Sequence, residues 1–350
     1  MNQAEYLNGY SEVAESSLWL RDEPPPPALE AVDAVLLDID GVLVDVRDSF
    51  RHVISRAVQF YLNHILEIPG DETFITGEET GLFKMAGDFN NDWDITEGAV
   101  AFGLMKLVSL ENPDSATVST LRNMPPGLGE FTGEIKNRGG GIKATLKMIR
   151  RGFRSPESYH SFASLYRPEL AKQLFMEIFA GKKLCRPFFK FEPRYYTETG
   201  LIERERIILD TTLVQELAYG GVNFGVLTGR IPEETEHLFR KTGLDNIINP
   251  DFVITDDGLL PGKPDPAGLN ALAERMGFKA AIYVGDVPDD WNAVRAYNSA
   301  RGGNEAPMAC CMVQTSALES GLMYRFLKES AADYIAGDVN CLLRALTSYI

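Results

Sequence analysis

The 350-residue sequence is poor in the residues that build disulfide scaffolds and zinc sites. Its four cysteines (Cys185, Cys310, Cys311, Cys341) form no C-x-x-C pair, and the adjacent two lie in an apolar run, Met308 to Val313. This excludes a disulfide-stapled fold and leads us to expect reduced, mostly buried thiols. The four histidines (His52, His64, His160, His237) lack H-E-x-x-H spacing, so any metal should be a hard ion with oxygen ligands. No apolar run reaches the roughly 20 residues of a membrane helix, and the amino terminus lacks the basic-then-apolar layout of a secretory signal. A cytoplasmic protein with no membrane partner is expected. Positive charge is scarce too: 34 lysines and arginines face 50 acids, a formal charge of −16, which argues against a nucleic-acid partner.

What is present is ordinary globular composition, 45% apolar and 24% charged, enough for a real core. Residues 1–33 carry seven acids against Arg21 alone and include Pro24 to Pro27, a pattern expected of an extended spacer or tail. Ala34-Val35-Leu36-Leu37 then runs apolar without alternation up to Asp38, as a strand buried on both faces would. Similar runs recur at Phe224 to Leu227, Phe252 to Ile254, Ile282 to Val284, Met308 to Val313 and Tyr334-Ile335. Helical patterns at Pro232 to Thr242, Pro266 to Met276 and Ala317 to Glu329 separate them. That alternation predicts a doubly wound, Rossmann-like α/β core with a parallel sheet, whose ligands bind at the carboxyl ends of the strands.

Between Arg47 and about Glu205 the alternation gives way to helical stretches, among them Ser49 to Ile68, Glu97 to Val108, Ile142 to Arg150 and Pro168 to Ala180. We expect a large α-helical insertion of roughly 155 residues, itself domain-sized. The predicted organisation is a tail at 1–33, a core at 34–48 and 206–350, and a helical cap at 49–205.

Chemistry concentrates in Asp38-Ile39-Asp40-Gly41-Val42-Leu43-Val44-Asp45. Two carboxylates two residues apart at a strand end can lie close together, and Gly41 permits a tight departure. In phosphoryl transfer each acid has a job: Asp38 attacks phosphorus, while Asp40 protonates the leaving oxygen and later deprotonates water. A calcium loop fits less well, because the D-x-[DN]-x-[DN]-G ladder fails at Val42 and Val44.

This segment resembles the first motif, D-x-D-G, of the haloacid dehalogenase-like hydrolases. Three further stretches resemble the family's other motifs in the right order: Val226-Leu227-Thr228-Gly229-Arg230, Gly262-Lys263-Pro264-Asp265-Pro266 and Gly285-Asp286-Val287-Pro288-Asp289-Asp290. The resemblance covers about residues 34–50 and 206–340. It implies that Thr228, Gly229 and Lys263 hold the phosphoryl group. It also implies that Asp286, with Asp290, holds Mg²⁺ beside Asp38 and the main-chain carbonyl of Asp40. The insertion falls between the first and second motifs, as in the helical-cap subfamily IA phosphatases, but is longer than a usual cap of that type. An acid at position 40 is similar to family members acting on phosphate esters rather than to dehalogenases or phosphonatases.

The expectation is therefore a Mg²⁺-dependent phosphatase acting on a small-molecule phosphate such as phosphoglycolate, a sugar phosphate or histidinol phosphate. A phosphomutase, or a catalytically idle interaction protein, are the alternatives; oligomeric state is left open. Lys84, Asn90, Asn91, Trp93 and Arg230 are candidate specificity residues. The stretch around Asn91 is similar to an F-N-N-D-W-D element in a small group of this subfamily, although Asp94 with Glu97 also fits a helix capping box. Gly139-Gly140-Gly141, leading into a helix with Lys143, Lys147, Arg150 and Arg151, would suit an anion cradle or, more simply, a solvated basic face. Arg51, His52 and Trp291 adjoin the motifs and are weaker candidates.

Overall fold

The structure, a computed structural model, describes residues 7, 9–13, 16–89, 91–302, 306–315 and 332–349. The chain divides into two compact units, one made of Met1–Val46 with Arg206–Ile350 and the other of Arg47–Glu205.

The first unit is built on an eight-stranded sheet. Its strands are β1 (Tyr10–Glu12), β2 (Leu18–Arg21), β3 (Ala34–Leu37), β6 (Asn223–Leu227), β7 (Val253–Ile254), β8 (Ala281–Gly285), β9 (Met308–Val313) and β10 (Tyr334–Ala336). β4 (Val44–Asp45) and β5 (Arg206–Ile207) form a separate antiparallel pair. The sheet order is β1-β2-β10-β9-β8-β3-β6-β7, with every pair from β10 to β7 parallel. Every residue of β3, β8 and β9 is buried, which is why these runs read as apolar without alternation. The chain leaves β3 toward β6 and β7, then returns to the other side of β3 as β8 and β9, so a topological switch point lies at β3 and β8.

One expectation is corrected here. Residues 1–33 are not simply a spacer: β2 pairs antiparallel with β10, and β1 with β2, completing one edge of the sheet. Leu18 and Trp19 are buried, so apolar side chains inside an acidic stretch hold it to the core. The predicted helix Ala317 to Glu329 lies outside the described residues. The helix Pro232–Thr242 has the predicted limits, set by proline in its first turn and by Gly243 in a left-handed conformation just past its end.

The second unit is helical. Helices Phe50–Phe60, Asp92–Val108 and Pro168–Phe189 pack against one another, and Phe50, Phe175 and Phe179 stack between them. Within Pro168–Phe189 the first helical stretch ends as predicted at Ala180, because Gly181 leaves helical geometry (φ +63°, ψ −174°), and a second stretch follows to Phe189. All four cysteines are free and buried, as expected. No helix among the described residues is long and apolar enough to cross a membrane.

Candidate active site

Sheet register brings the motifs together. Leu37 lies opposite Val226 on one side and Val284 on the other, so Asp38, Thr228 and Asp286 all follow the same edge of three neighbouring strands. Asp38 donates its amide to the Val284 carbonyl at 3.0 Å. Lys263 Nζ lies 2.9 Å from Asp38 Oδ2 and 2.6 Å from Asp290 Oδ1. It also donates to the Tyr283 hydroxyl at 3.2 Å, and that hydroxyl donates to Asp290 Oδ1 at 2.9 Å.

Asp290 has its acceptor positions filled. While Oδ1 takes Lys263 and Tyr283, Oδ2 takes the amides of Asp286 (3.0 Å) and Val287 (3.1 Å). Four donors match the roughly four lone-pair positions of a carboxylate, so Asp290 is engaged in orienting Lys263 and closing the start of helix Pro288–Ala300. Asp286 is the opposite case. It is 4% exposed, yet among the described residues nothing donates a hydrogen bond to its carboxylate, nor to Asp38 Oδ1. Gly41 explains how the loop passes so near: its φ is +73°, and a Cβ there would lie 2.0 Å from Asp286 Oδ2.

Burial in this cluster favours neutral acids. It pushes Asp38 up to about 7, against the opposing pull of Lys263 and with the help of Asp290 and Asp40. Asp286 is raised well above the ordinary carboxylate range by burial first, then by Asp290 and Asp38. Burial also opposes charge on Lys263, but Asp290 and Asp38 outweigh it and hold the ammonium well above its usual value. Asp38, Asp40, Asp286 and Asp290 against Lys263 and Arg230 give a formal charge of 2 − 4 = −2 with all six groups ionised. Ligand oxygens of Asp38, Asp286 and Asp290 lie within 4.8 Å of one another. An all-oxygen set with excess negative charge and undonated carboxylate oxygens fits a hard divalent cation.

Asp40 sits at the mouth of this arrangement. Its side chain is 36% exposed, and Oδ1 receives both Nε (2.8 Å) and an Nη (2.5 Å) of Arg230, whose own side chain is 1% exposed. Thr228 is buried, with its hydroxyl accepting from the Arg230 amide at 3.2 Å, while Gly229 is exposed between them. Asp45, the last acid of the first motif, pairs instead with Arg206 across β4 and β5 at 3.1 Å.

The specificity candidates in the helical unit have ordinary local partners. Lys84 pairs with Asp92 at 3.1 Å, and Trp93 packs edge-on to Phe175 beneath Lys172. Asn91 caps helix Asp92–Val108 by accepting the Asp94 amide at 2.8 Å, so the cap lies three residues before the predicted Asp94. Asn90 lies outside the described residues. The Gly139 to Gly141 turn passes against residues 87 and 88, where a Cβ on Gly140 would meet the Gly87 carbonyl at 2.4 Å. Backbone proximity accounts for Gly140 and Gly141, and a φ of +100° for Gly139, without a bound anion. Trp291 packs on the core beneath Arg295, and His52 lies 3.8 Å from Asp48.

Two groups escaped the sequence reading. Tyr283 looks like one more apolar residue of β8, and only strand alternation, which puts it on the same face as Gly285, hints at its contact with Lys263. Thr315, just past β9, donates to the Gly41 carbonyl, and nothing in its local sequence marks it.

The model of the haloacid dehalogenase-like hydrolase family matches residues 32–297. The chain belongs to this family of hydrolases. Among curated relatives it is 36% identical over 74 residues to an imidazoleglycerol-phosphate dehydratase of Phytophthora nicotianae, a match covering 21% of this chain and 14% of that protein. It is 37% identical over 87 residues to a phosphoglycolate phosphatase of Rhodospirillum rubrum, covering 24% of this chain and 35% of that one. The matched segments thus span well under half of either relative. Among solved structures, Northeast Structural Genomics Consortium target ZR25 aligns with a TM-score of 0.63 at 18% identity, covering 91% of this chain and 98% of that one. Phosphatase Tt82 from Thermococcus thioreducens aligns with a TM-score of 0.54 at 21% identity, covering 84% and 99%. These likenesses establish the shared fold.

Proposed function

We propose that this hydrolase is a Mg²⁺-dependent phosphatase that cleaves a small-molecule phosphate monoester through an aspartyl-phosphate. The observation that carries this is the Lys263 ammonium held between Asp38 and Asp290 at the end of the central strands, beside the undonated carboxylate of Asp286. Asp38 attacks phosphorus as the ester oxygen departs with a proton from Asp40. Water then loses a proton to Asp40 and attacks the same phosphorus, breaking the bond to Asp38 and releasing inorganic phosphate. Thr228, the Gly229 amide and Lys263 hold the phosphoryl oxygens. Asp38, Asp286 and the Asp40 main-chain carbonyl would hold Mg²⁺, which would supply positive charge for the transferring group. Asp290 orients Lys263 in this scheme.

The helical insertion serves as the cap and carries selectivity, and the four free cysteines suit the reducing cytoplasm. Phosphoglycolate is the first substrate to test, given the named activity of the Rhodospirillum relative; an imidazole-bearing alkyl phosphate comes second, given the name of the Phytophthora relative. Purified protein should release phosphate from p-nitrophenyl phosphate only with Mg²⁺, and Asp38→Asn should abolish the release. Phosphate release undiminished in that variant would refute the mechanism; phosphate moved within a sugar rather than released would favour a mutase.

A further inference from the structure

We propose that Arg230 is a positioning residue for proton transfer: it clamps one oxygen of Asp40 and leaves the other as the only one that meets the leaving group. The inference rests on the phosphatase reading above, and adds to it a task for a side chain that the sequence suggested only as a candidate specificity residue.

Both contacts fall on one atom. Nε and an Nη of Arg230 donate to Asp40 Oδ1, at 2.8 and 2.5 Å. Among the described residues nothing donates to Oδ2. The usual fork-to-fork pairing of guanidinium with carboxylate would occupy both oxygens and leave neither for chemistry. Here two donors on one oxygen fix the carboxylate and keep the second oxygen unengaged, on a side chain 36% exposed. The guanidinium itself is 1% exposed, so it does not present itself to substrate as a specificity residue on the surface would. Its backbone is equally anchored, since the amide donates to Thr228 Oγ1 and the carbonyl accepts from the Asp256 amide at 2.9 Å. The clamp therefore joins the loop after β6 to the loop after β3, and Asp40 takes its aim from a different strand than the nucleophile two residues before it.

A carboxyl that must give its proton to a departing oxygen works only within hydrogen-bond reach and at the right angle. Its two oxygens exchange places by rotation about χ2, a soft torsion in aspartate. Arg230 stops that rotation. Poor leaving groups, which need a proton as the bond breaks, should depend on the clamp. Good leaving groups should not.

The test compares kcat/KM for a short series of phosphate monoesters, from 2,4-dinitrophenyl through p-nitrophenyl to simple alkyl phosphates, in wild type, Arg230→Gln, Arg230→Lys and Asp40→Asn. The ratio of alkyl to dinitrophenyl kcat/KM within one protein cancels any loss of folded enzyme. Removing general acid catalysis costs about 10²–10⁴-fold, so that ratio should fall by about 30-fold or more in Arg230→Gln. Asp40→Asn should show the same pattern more strongly, and Arg230→Lys, which keeps a donor but not the fork, should recover part of the ratio. A uniform loss across the series, with the ratio unchanged while Asp40→Asn lowers it, would overturn the positioning role and leave the phosphatase reading intact. If wild type cleaves none of the esters, the phosphatase reading fails, and a crystal structure of the Arg230 variants still decides the clamp. A single Asp40 rotamer, unchanged from wild type, overturns it, and two or more rotamers support it.

Discussion

Lys106 and Lys263 are both withdrawn from water, one in each unit, and their surroundings differ. Lys106 is 1% exposed and donates to three main-chain carbonyls, Leu121 (2.8 Å), Arg122 (3.3 Å) and Met124 (2.7 Å), with its ammonium 4.4 Å from the Phe102 ring. Burial, aided by nearby Arg122, pushes it down to about 8. Lys263 is surrounded instead by carboxylates that hold it charged. Carbonyls at the end of helix Val118–Asn123 need donors, so the first lysine completes a backbone. The second leaves its cluster with more negative than positive charge, an arrangement with little value for stability but well suited to a metal and a phosphoryl group. The contrast separates a buried charge that builds the fold from one that builds a site.

The comparison can be broken by exchanging each lysine for methionine. Lys263→Met should lower kcat/KM by about 10²–10³-fold, the usual cost of removing one preorganised donor to developing charge, and a loss under tenfold would demote it to a structural residue. Next in size, Asp286→Asn should weaken Mg²⁺ binding, measured by calorimetry, more than Asp290→Asn does. The second change acts through Lys263 and the helix start, where supporting partners are worth about 10–100-fold. Equal effects on Mg²⁺ affinity would make Asp290 a ligand.

Thermal denaturation against pH sharpens the same contrast. Asp38 is raised to about 7 by burial, and Asp286 is raised with it. Between the ordinary carboxylate range and about pH 7 the folded protein thus binds protons that the unfolded chain has released. Metal-free stability should fall as pH rises through that window, and Mg²⁺ should restore most of it near pH 7.5 and little near pH 5. Stability that climbs with pH in metal-free buffer would contradict the pairing. Smallest of all, Lys106→Met should cost about 1–3 kcal/mol of stability by leaving carbonyls without donors, with kcat/KM unchanged.

Much of this was legible in the sequence because strand ends in a parallel sheet have a local signature: an apolar run that stops at a polar residue. Asp38, Thr228 and Asp286 could be read in that way, and Lys263 by its Gly-Lys-Pro setting. The four-donor saturation of Asp290 could not, since two of its donors are backbone amides that exist as a pair only once helix Pro288–Ala300 begins. Nor could the Arg230 clamp, which joins residues 190 positions apart. The edge strands β1 and β2 were hidden for another reason: Leu18 and Trp19 are two apolar residues in an acidic, proline-ending stretch, and antiparallel pairing at a sheet edge demands little of local composition.

Asp38 as nucleophile is the claim on which the rest depends, and trapping its acyl-phosphate tests it most directly. Enzyme quenched with borohydride during turnover and digested for mass spectrometry should carry the reduced side chain, homoserine, at position 38 and only when both substrate and Mg²⁺ are present. Turnover that leaves position 38 unmodified, or that labels another residue, would contradict the account.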